Sequence, residues 1–425
     1  MASLLLAFLL AVPPDHLGTI VFPNSGKPEA QAAFLRGVLL LHNFAYPQAK
    51  EAFVEAQKID PKFALAYWGE AMTYNHPLWN QIDVEAGRRA LKNAGSLTMT
   101  PRERGYVEAV EALYSRDKYA YEAAMERLAK ANPTDVEAQV FWALSILGSR
   151  EWHQLDERRS VRAAAILEEL FPTHQDHPGV LHYLIHAYDD PVHAPLGLRA
   201  ARLYAKVASS APHALHMPSH IFLQLGMWDD TARSNEAAYA LSKEWKQPDM
   251  HSLHWLQYAY LQQHRFADAK RLIEDGHGED MKVRYAAESG DWEAFEFHEP
   301  LGKALQAIHR KKFDDAESFI KELKPEGPEP DEVRALLAGA RGNWNEAFRY
   351  ARQAIVAEEK LGVPSGPPEN FKPAHELYGE LLMQAGKKAE AVAQFETSLL
   401  RTPNRTASVM DLKAASSGSV PGAPR

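Results

Sequence analysis

Apolar residues recur along this chain with the 3.6-residue period of amphipathic helices, and the pattern runs almost from end to end. Ala-, Leu- and Glu-rich stretches carry the pattern, whereas the alternating pattern of β-strands is scarce. An amphipathic helix buries its apolar face only by packing on a neighbour. The pattern therefore predicts an all-α chain built from helices that pack side by side.

Small, aromatic and proline residues return at fixed distances on top of this helical period. Short turns of the form Gly-x-Trp or a close variant recur in the middle of the chain. They lie at residues 226–228, 264–266, 290–292, 311–313 and 342–344. The clearest spacing is given by Gly37, Ala49, Phe53, Ala56 and Pro61 near the N-terminus and by Gly379, Gly386, Ala391, Phe395 and Pro403 near the C-terminus.

This spacing resembles that of the tetratricopeptide-repeat (TPR) superfamily over residues 28–405. The resemblance implies an α-solenoid of about ten helix-turn-helix repeats, in which each helix pair stacks on the next and shares a continuous core. Residues 76–104 and 148–178 are longer connections than the repeat allows, and each is interpreted as a lid or as a packing insertion. Residues 406–425 are predicted to be a disordered tail.

Composition narrows the classes of function. The chain has 425 residues, a net charge of −9 and no long basic stretch, which argues against nucleic acid as the main partner. It has no cysteine, so imidazole and oxygen are the ligands left for a metal. The apolar residues 1–14 predict a signal peptide, and therefore a periplasmic or secreted protein; the alternative is an N-terminal packing helix in a cytoplasmic protein. No other segment is predicted to cross a membrane.

Histidines are concentrated in the repeats of residues 174–264. The stretches 181–188, 215–222 and 253–260 each begin with Leu-His, about one repeat apart. In the TPR family, three positions of each first helix face the concave groove, and in three successive repeats here most of them are histidine. Composition alone does not explain this, because the whole chain has 19 histidines. The seven groove histidines are His182, His186, His213, His216, His220, His251 and His254.

These positions predict a metal site. Histidines four residues apart lie on one helix face and can bind the same ion. Neighbouring helices are about 8–10 Å apart, so imidazoles from three helices can converge on one ion or on two. Imidazole without thiolate suits copper, with zinc or iron as alternatives, and export favours copper. Pro218 interrupts the pattern, because it must either begin the helix that carries His220 or kink it.

Other polar residues complete the predicted site. Asp189 and Asp190 follow the first histidine stretch within one turn, where they either orient a ligating histidine or cap the turn. Tyr258 takes a groove position, where it either lines the cavity or carries a proton or radical. The next repeat offers a mixed-charge patch for a small polar substrate. Its members are His277, Asp280 and Arg284.

No hydrolytic or nucleotide-binding signature accompanies the histidines. The motifs His-Glu-x-x-His and Gly-x-Ser-x-Gly, and the phosphate-binding loops, are absent from the sequence. The histidine-lined groove therefore predicts an oxidative copper- or iron-dependent enzyme, or a metal carrier or sensor without turnover. The alternative is a TPR scaffold that binds a peptide or protein partner without metal.

Overall fold

The structure is a computed structural model that describes residues 16–150, 157–275 and 278–417. Over these residues the chain is a TPR-like α-solenoid, as the sequence predicts. The expected signal peptide at 1–14, the substrate-patch residue His277 and the last part of the predicted tail lie outside the described residues. None of the described helices combines the length and the apolar character that a bilayer-spanning segment needs.

The solenoid is a succession of helices joined mostly by short turns. Glycines in the left-handed conformation, such as Gly226 with φ 65° and Gly342 with φ 75°, allow the chain to reverse between the two helices of a repeat. The helices are α1 (Gln31–His42), α2 (Tyr46–Ile59), α3 (Ala64–Met72), α4 (Val84–Leu91), α5 (Pro101–Ser115), α6 (Lys118–Ala131), α7 (Val136–Gly148), α8 (Glu157–Leu170), α9 (Pro178–Ala187), α10 (Ala194–Val207), α11 (Pro212–His216), α12 (Pro218–Gln224), α13 (Trp228–Glu244), α14 (Met250–Gln262), α15 (Phe266–Asp275), α16 (Glu279–Ser289), α17 (Pro300–His309), α18 (Phe313–Ile320), α19 (Glu329–Ala340), α20 (Trp344–Glu359), α21 (Ala374–Gln384), α22 (Lys388–Arg401) and α23 (Thr406–Ser416).

Neighbouring helices pair and the pairs stack, from α1 with α2 to α21 with α22. The close packing of such pairs needs a small residue beside a large ring. A Cβ atom added at Gly37 would lie 2.8 Å from the ring of Phe53, and one at Gly69 would lie 2.3 Å from it. Both positions therefore require glycine, and the Phe53 ring fills the space between the first three helices.

Two connections depart from the repeat. Within 76–104, the short antiparallel strands β1 (Asn75–His76) and β2 (Gln81–Ile82) form a hairpin before α4. The turn at Gly290 forms with φ 76°, but the residues that follow it are irregular until α17 begins at Pro300. The turn pattern at Gly290 predicts a second helix directly after α16, but no helix begins there before α17.

Residues 406–416 form α23, whereas the sequence predicts a disordered tail from residue 406. Arg405 precedes this helix, is 1% exposed and pairs with Glu376, with an N–O distance of 2.7 Å. The Thr406 N–H donates to the side-chain oxygen of Gln262 at 2.9 Å, and the Thr406 hydroxyl donates to the Gln262 carbonyl at 2.8 Å. These long-range contacts order the segment, and its polar composition gave no sign of them.

Pro218 lies at a junction between two helical segments. Helices α11 and α12 meet at Met217, whose φ of −53° and ψ of −36° remain helical. Pro218 has no N–H for the preceding turn, and the His220 N–H instead bonds to the Met217 carbonyl at 3.1 Å. A new helix thus begins at Pro218 while the backbone continues through it, so both alternatives from the sequence apply in part.

Candidate metal centre

Three imidazoles from α9 and α11 converge, and we call His182, His186 and His213 the first histidine group. The Nε2 atom of His182 lies 3.1 Å from that of His213 and 3.0 Å from that of His186. His182 and His186 are four residues apart on α9, and His213 belongs to the first turn of α11. One nitrogen from each ring lies within 4.8 Å of the other two.

A second set of three imidazoles lies beside the first, and we call His216, His220 and His251 the second histidine group. The Nε2 atoms of His216 and His220 are 3.1 Å apart, and the ring centre of His251 is 4.8 Å from that of His216. The first two come from either side of Pro218, and His251 begins α14. One nitrogen from each ring again lies within 4.8 Å of the others.

The spacing in both groups is close to the spacing around a metal ion. Three imidazole nitrogens at about 2.0–2.1 Å from one tetrahedral ion stand about 3.3–3.4 Å apart. The Nε2 contacts of 3.0–3.1 Å in the two groups are only slightly shorter. These pairs can therefore receive an ion after a shift of about 0.3 Å, and the third nitrogen of each group lies within 4.8 Å of them.

Hydrogen bonds to the other ring nitrogens fix the protons of the second histidine group. The Nδ1 atom of His216 is 2.6 Å from Asn235 Oδ1, and that of His220 is 2.6 Å from Asp189 Oδ2. The Asn235 amide nitrogen donates to the Thr231 carbonyl at 2.8 Å, so the atom that faces His216 is the oxygen. Both Nδ1 atoms therefore donate, so when both rings are neutral their Nε2 lone pairs face each other.

In the first histidine group, too, the ring nitrogens that approach each other cannot all be paired by hydrogen bonds. The Nδ1 atom of His182 donates to the His42 carbonyl at 2.7 Å, which leaves Nε2 with one lone pair. The Nε2 atoms of both His186 and His213 approach that lone pair. One lone pair accepts one in-plane hydrogen bond, so one of the two contacts is not a hydrogen bond.

Burial disfavours a proton on the His182 and His216 rings. His182 and His216 are fully buried. Desolvation is the main cause that lowers the pKa of His182 to about 3 and holds the pKa of His216 well below its ordinary value of 6.5, and neighbouring histidines lower both further. Both rings are therefore neutral at pH 7, which is the form of imidazole that binds metals.

A third buried cluster, His42, Glu137 and His177, has no such unmatched pair. Glu137 lies 2.8 Å from His42 Nε2 and 3.1 Å from His177 Nε2. The Nδ1 atom of His42 accepts from the Tyr183 hydroxyl at 3.0 Å, and that of His177 accepts from the Val180 N–H at 3.3 Å. Every ring nitrogen thus has a partner of matching polarity without an ion.

This third cluster supports the first histidine group. Burial raises the pKa of Glu137, but the charges and hydrogen bonds of His42 and His177 outweigh burial and lower it to about 2. The carboxylate therefore holds both rings, which come from α1 and from the residue before α9. Because the His42 carbonyl accepts the His182 proton, this network also fixes the tautomer of His182.

The two histidine groups adjoin, and one aromatic ring packs against each. The ring centres of His186 and His220, one from each group, are 6.0 Å apart. The ring of Phe44 lies 4.4 Å from that of His182, and the ring of Trp255 lies 4.2 Å from that of His220. These rings restrict how far the imidazoles can turn.

A cavity of about 340 Å³ opens onto both groups. Residues 77–80 of the insertion after α3 line one side, so this insertion lies against the site. Residues 361–373, between α20 and α21, form much of the opposite side. The histidines on the cavity wall are His186, His213, His220 and His251, and its charged residues are Arg150, Asp189, Glu358, Glu369 and Arg401.

The loop of residues 361–373, which we call the covering loop, lies across the groove. The Gln224 amide donates to the Pro364 carbonyl at 3.2 Å. The guanidinium of Arg284 donates to the Pro368 carbonyl at 3.0 Å. These contacts come from α12 and α16, on either side of α14. The covering loop therefore closes the groove beside the second histidine group, and Arg284 holds this loop.

The remaining groove residues of the prediction lie away from the two groups. His254 is outside both, and its Nδ1 atom is 3.3 Å from Asp280 Oδ2. Tyr258 is 2% exposed, and its hydroxyl accepts a hydrogen bond from Arg405 at 3.3 Å. These contacts give His254, Asp280 and Tyr258 partners within the solenoid rather than at a histidine group.

The two adjacent aspartates have different partners. Asp189 orients His220, which is one of the two roles that the sequence allows for it. Asp190 accepts from the Val192 N–H at 2.8 Å and lies 2.8 Å from His193 Nδ1, so it caps the turn before α10. The second oxygen of Asp189 is buried without a hydrogen-bond partner and lies at the cavity.

Several residues of the site were not found from the sequence. Asn235 lies on α13, the second helix of its repeat, whereas the groove positions were counted on first helices only. Phe44 and residues 77–80 belong to repeats far away along the chain. The sequence of the covering loop has the composition of an ordinary Pro- and Gly-rich connection. No local pattern marks Asn235, Phe44 or the covering loop as part of a site, whereas residues 77–80 lie in the insertion 76–104, for which a lid is one of the two interpretations from the sequence.

Comparison with known proteins gives only similarities of low sequence identity and low TM-score. No protein-family model matches this chain, and no curated protein matches its sequence. A chain of the APC/C hetero-tetramer Cut9-Hcn1 is similar over 93% of this chain and 78% of its own, with 15% identity and a TM-score of 0.37. Yeast Tom70 is similar over 91% of this chain and 88% of its own, with 13% identity and a TM-score of 0.34. A TPR protein from Parabacteroides merdae covers 74% of this chain at 12% identity, over 98% of its own length, with a TM-score of 0.33. Similarities this low carry no information about binding or catalysis.

Proposed function

We propose that this protein binds two metal ions in its groove, one at each histidine group, and that copper is the preferred ion. We further propose oxidative chemistry on a small polar molecule in the adjoining cavity. The observation that carries the proposal is the second histidine group, where Asn235 and Asp189 take the Nδ1 protons of His216 and His220. When both rings are neutral, the two Nε2 lone pairs face each other at 3.1 Å, and a shared cation removes their repulsion.

The ligand chemistry favours copper. Both groups consist of imidazoles alone, and the chain has no cysteine. Nitrogen ligands suit copper, with zinc and iron as alternatives, and copper binds such sites most tightly among these divalent ions. Export, which residues 1–14 predict, would also bring the protein into contact with copper. A pair of adjacent copper ions supplies two-electron chemistry when it is bound.

The cavity supports catalysis more than storage. Three protein ligands leave an open coordination position, which is typical of catalytic sites, whereas storage and structural sites are closed. His186 and His213 of the first group and His220 and His251 of the second line the same cavity, so one small molecule can reach both groups. Asp189 orients His220 and increases its basicity, and the covering loop limits the access of water.

Metal analysis by mass spectrometry tests the proposal. The protein is expressed at its full length without an affinity tag and loaded with copper. We expect two ions per chain in the native protein, one in His186→Ala, one in His220→Ala and none in the double variant. The double variant His298→Ala/His309→Ala changes two exposed histidines and should keep both ions.

The second candidate function is a TPR scaffold that binds a peptide or protein partner without metal, which the solenoid architecture itself favours. That function predicts no ion above background in any variant, and such a result would refute the metal proposal. The covering loop argues against a peptide along the whole groove, because it already occupies the part between α12 and α16. A partner would have to bind elsewhere on the groove or displace the loop.

A further inference from the structure

A second cavity, of about 360 Å³, lies among the N-terminal repeats, and we call it the apolar pocket. Its volume is within the range of small-molecule sites. Buried side chains of α1, α3, α5, α6 and α7 form its walls, and most of them are apolar. They include Leu41, Phe44, Met72, Leu113, Tyr121 and Leu144.

Tyr46 provides a polar group in this apolar wall. Its ring lines the pocket and stacks on His76, with the ring centres 3.9 Å apart. The side chain is 8% exposed, and its hydroxyl is buried without a hydrogen-bond partner. Other buried tyrosines have partners, such as Tyr183, which bonds to His42, and Tyr114, which donates to the Ala71 carbonyl. An unpaired buried hydroxyl destabilises the protein, so a ligand that pairs with it gains affinity.

The opening of the pocket combines apolar side chains with the charged residues Arg116, Asp117 and Lys118. Ile82 of β2 is 43% exposed and Tyr119 of α6 is 44% exposed, and both line the pocket. Burial raises the pKa of Tyr46 well above its ordinary value, so its hydroxyl stays neutral and can both donate and accept. A charged group has no buried partner at this position, whereas an alcohol, phenol or ketone oxygen does.

We infer that the apolar pocket binds a small, largely apolar molecule that carries one neutral oxygen, which pairs with the Tyr46 hydroxyl. This site is distinct from the histidine-lined cavity. Phe44 lies between the two, because its ring lines the pocket and packs on His182 and His213 of the first histidine group. Binding here does not depend on the metal.

Two matched probes test this inference on the full-length protein. 4-Propylphenol and propylbenzene have the same apolar body, and only the first has a hydroxyl. Their dissociation constants are measured by ligand-observed NMR. We expect the phenol to bind the native protein at least about fivefold more tightly, because one additional hydrogen bond contributes about 1 kcal/mol.

Four variants test whether the probes bind in the apolar pocket. In Tyr46→Phe the advantage of the phenol should disappear, while the affinity for propylbenzene stays the same. Leu113→Phe fills the pocket and should weaken both probes. Tyr67→Phe is the control, because its hydroxyl donates to the Pro61 carbonyl outside the pocket. His186→Ala/His220→Ala should bind both probes as the native protein does, which separates this inference from the metal proposal.

Three results would overturn the inference. The first is no binding of either probe at millimolar concentration, as expected for a cavity that holds only water. The second is equal affinity of the two probes for the native protein. The third is an unchanged preference for the phenol in Tyr46→Phe.

Discussion

At the scale of single residues, the assignment of protons decides what the histidine groups can do. Distances alone do not distinguish a metal site from a hydrogen-bonded cluster, since His42, Glu137 and His177 are as close together as the other two groups. The difference lies in the partners of the second ring nitrogens. Where those partners are acceptors, as at His216 and His220, the facing nitrogens of two neutral rings both carry lone pairs.

Asp189 is therefore expected to tune the second histidine group. Asp189→Asn keeps an oxygen for the His220 Nδ1 proton but removes the negative charge, so the metal affinity of this group should fall about 10- to 100-fold. Competition with a chelator measures the two affinities, and that of the first group should be unchanged. Asp190→Asn is the matched control, because Asp190 contacts His193 instead. Equal losses in the two variants would contradict this role.

The Glu137 carboxylate is expected to make the free energy of unfolding depend on pH. Its pKa is about 2 in the folded protein, against an ordinary 4.5, so its contribution to the free energy of unfolding is present above about pH 4.5. The contribution is lost as the pH falls toward 2. Glu137→Gln should therefore lower the free energy of unfolding by about 3 kcal/mol at pH 7, because one histidine then faces an amide N–H instead of an oxygen.

Urea unfolding of the metal-free protein measures this effect. The difference between the native protein and Glu137→Gln should be smaller at pH 3 than at pH 7. A difference that is the same at the two pH values would show that the charge of Glu137 does not stabilise the cluster.

At the scale of elements, two departures from an ordinary repeat shape the candidate metal centre. They are the covering loop and the helix junction at Pro218. The junction lies between His216 and His220 of the second group, while His213, one turn earlier, belongs to the first. One repeat thus supplies ligands to both groups. The covering loop then encloses the groove, which in an open solenoid would stay accessible along its length.

Gly366 is the point at which the covering loop can be loosened. A Cβ atom there would lie 2.4 Å from the Trp255 ring, so Gly366→Ala should push the loop away from the second histidine group. The rate at which a chelator removes the bound ion should rise severalfold, with the number of ions unchanged. Gly95→Ala is the control, because a Cβ at Gly95 meets nothing within 4 Å. An unchanged rate in Gly366→Ala would show that the loop does not limit access.

At the scale of the whole molecule, the C-terminal repeats fold back onto the middle of the solenoid. Arg405 pairs with Glu376 of α21 and with Glu288 of α16, at 2.7 and 2.6 Å. Thr406 bonds to Gln262 of α14. These contacts hold the C-terminal repeats against the middle of the solenoid, where the covering loop lies beside the second histidine group.

Arg405 is therefore expected to be important for stability. Arg405→Leu leaves two buried carboxylates without their cation and should lower the free energy of unfolding by about 3–5 kcal/mol. Chemical denaturation measures the loss. Arg310→Leu is the control, because it removes the exposed ion pair with Glu293, and it should cause no comparable loss. Similar effects of the two variants would contradict the role of Arg405.

The helix pairs and the three histidine stretches were predictable from the sequence, because both depend on spacing within one repeat. The six converging histidines are among the seven that the spacing selects. His254 differs because its own side chain meets Asp280. Asn235, Phe44 and the covering loop were not predictable, since their place depends on how the repeats curve and close. The same reason applies to α23, whose first residue bonds to Gln262, 144 residues away along the chain.

The most direct test of the central claim is anomalous diffraction at the copper edge from crystals of the copper-loaded protein. The account predicts two anomalous peaks per chain. One should lie about 2.0–2.1 Å from a nitrogen of each of His182, His186 and His213, and the other at the same distance from His216, His220 and His251. Copper-loaded crystals with no peak at either group, or with peaks only at exposed histidines, would contradict the proposal that the groove is a metal centre.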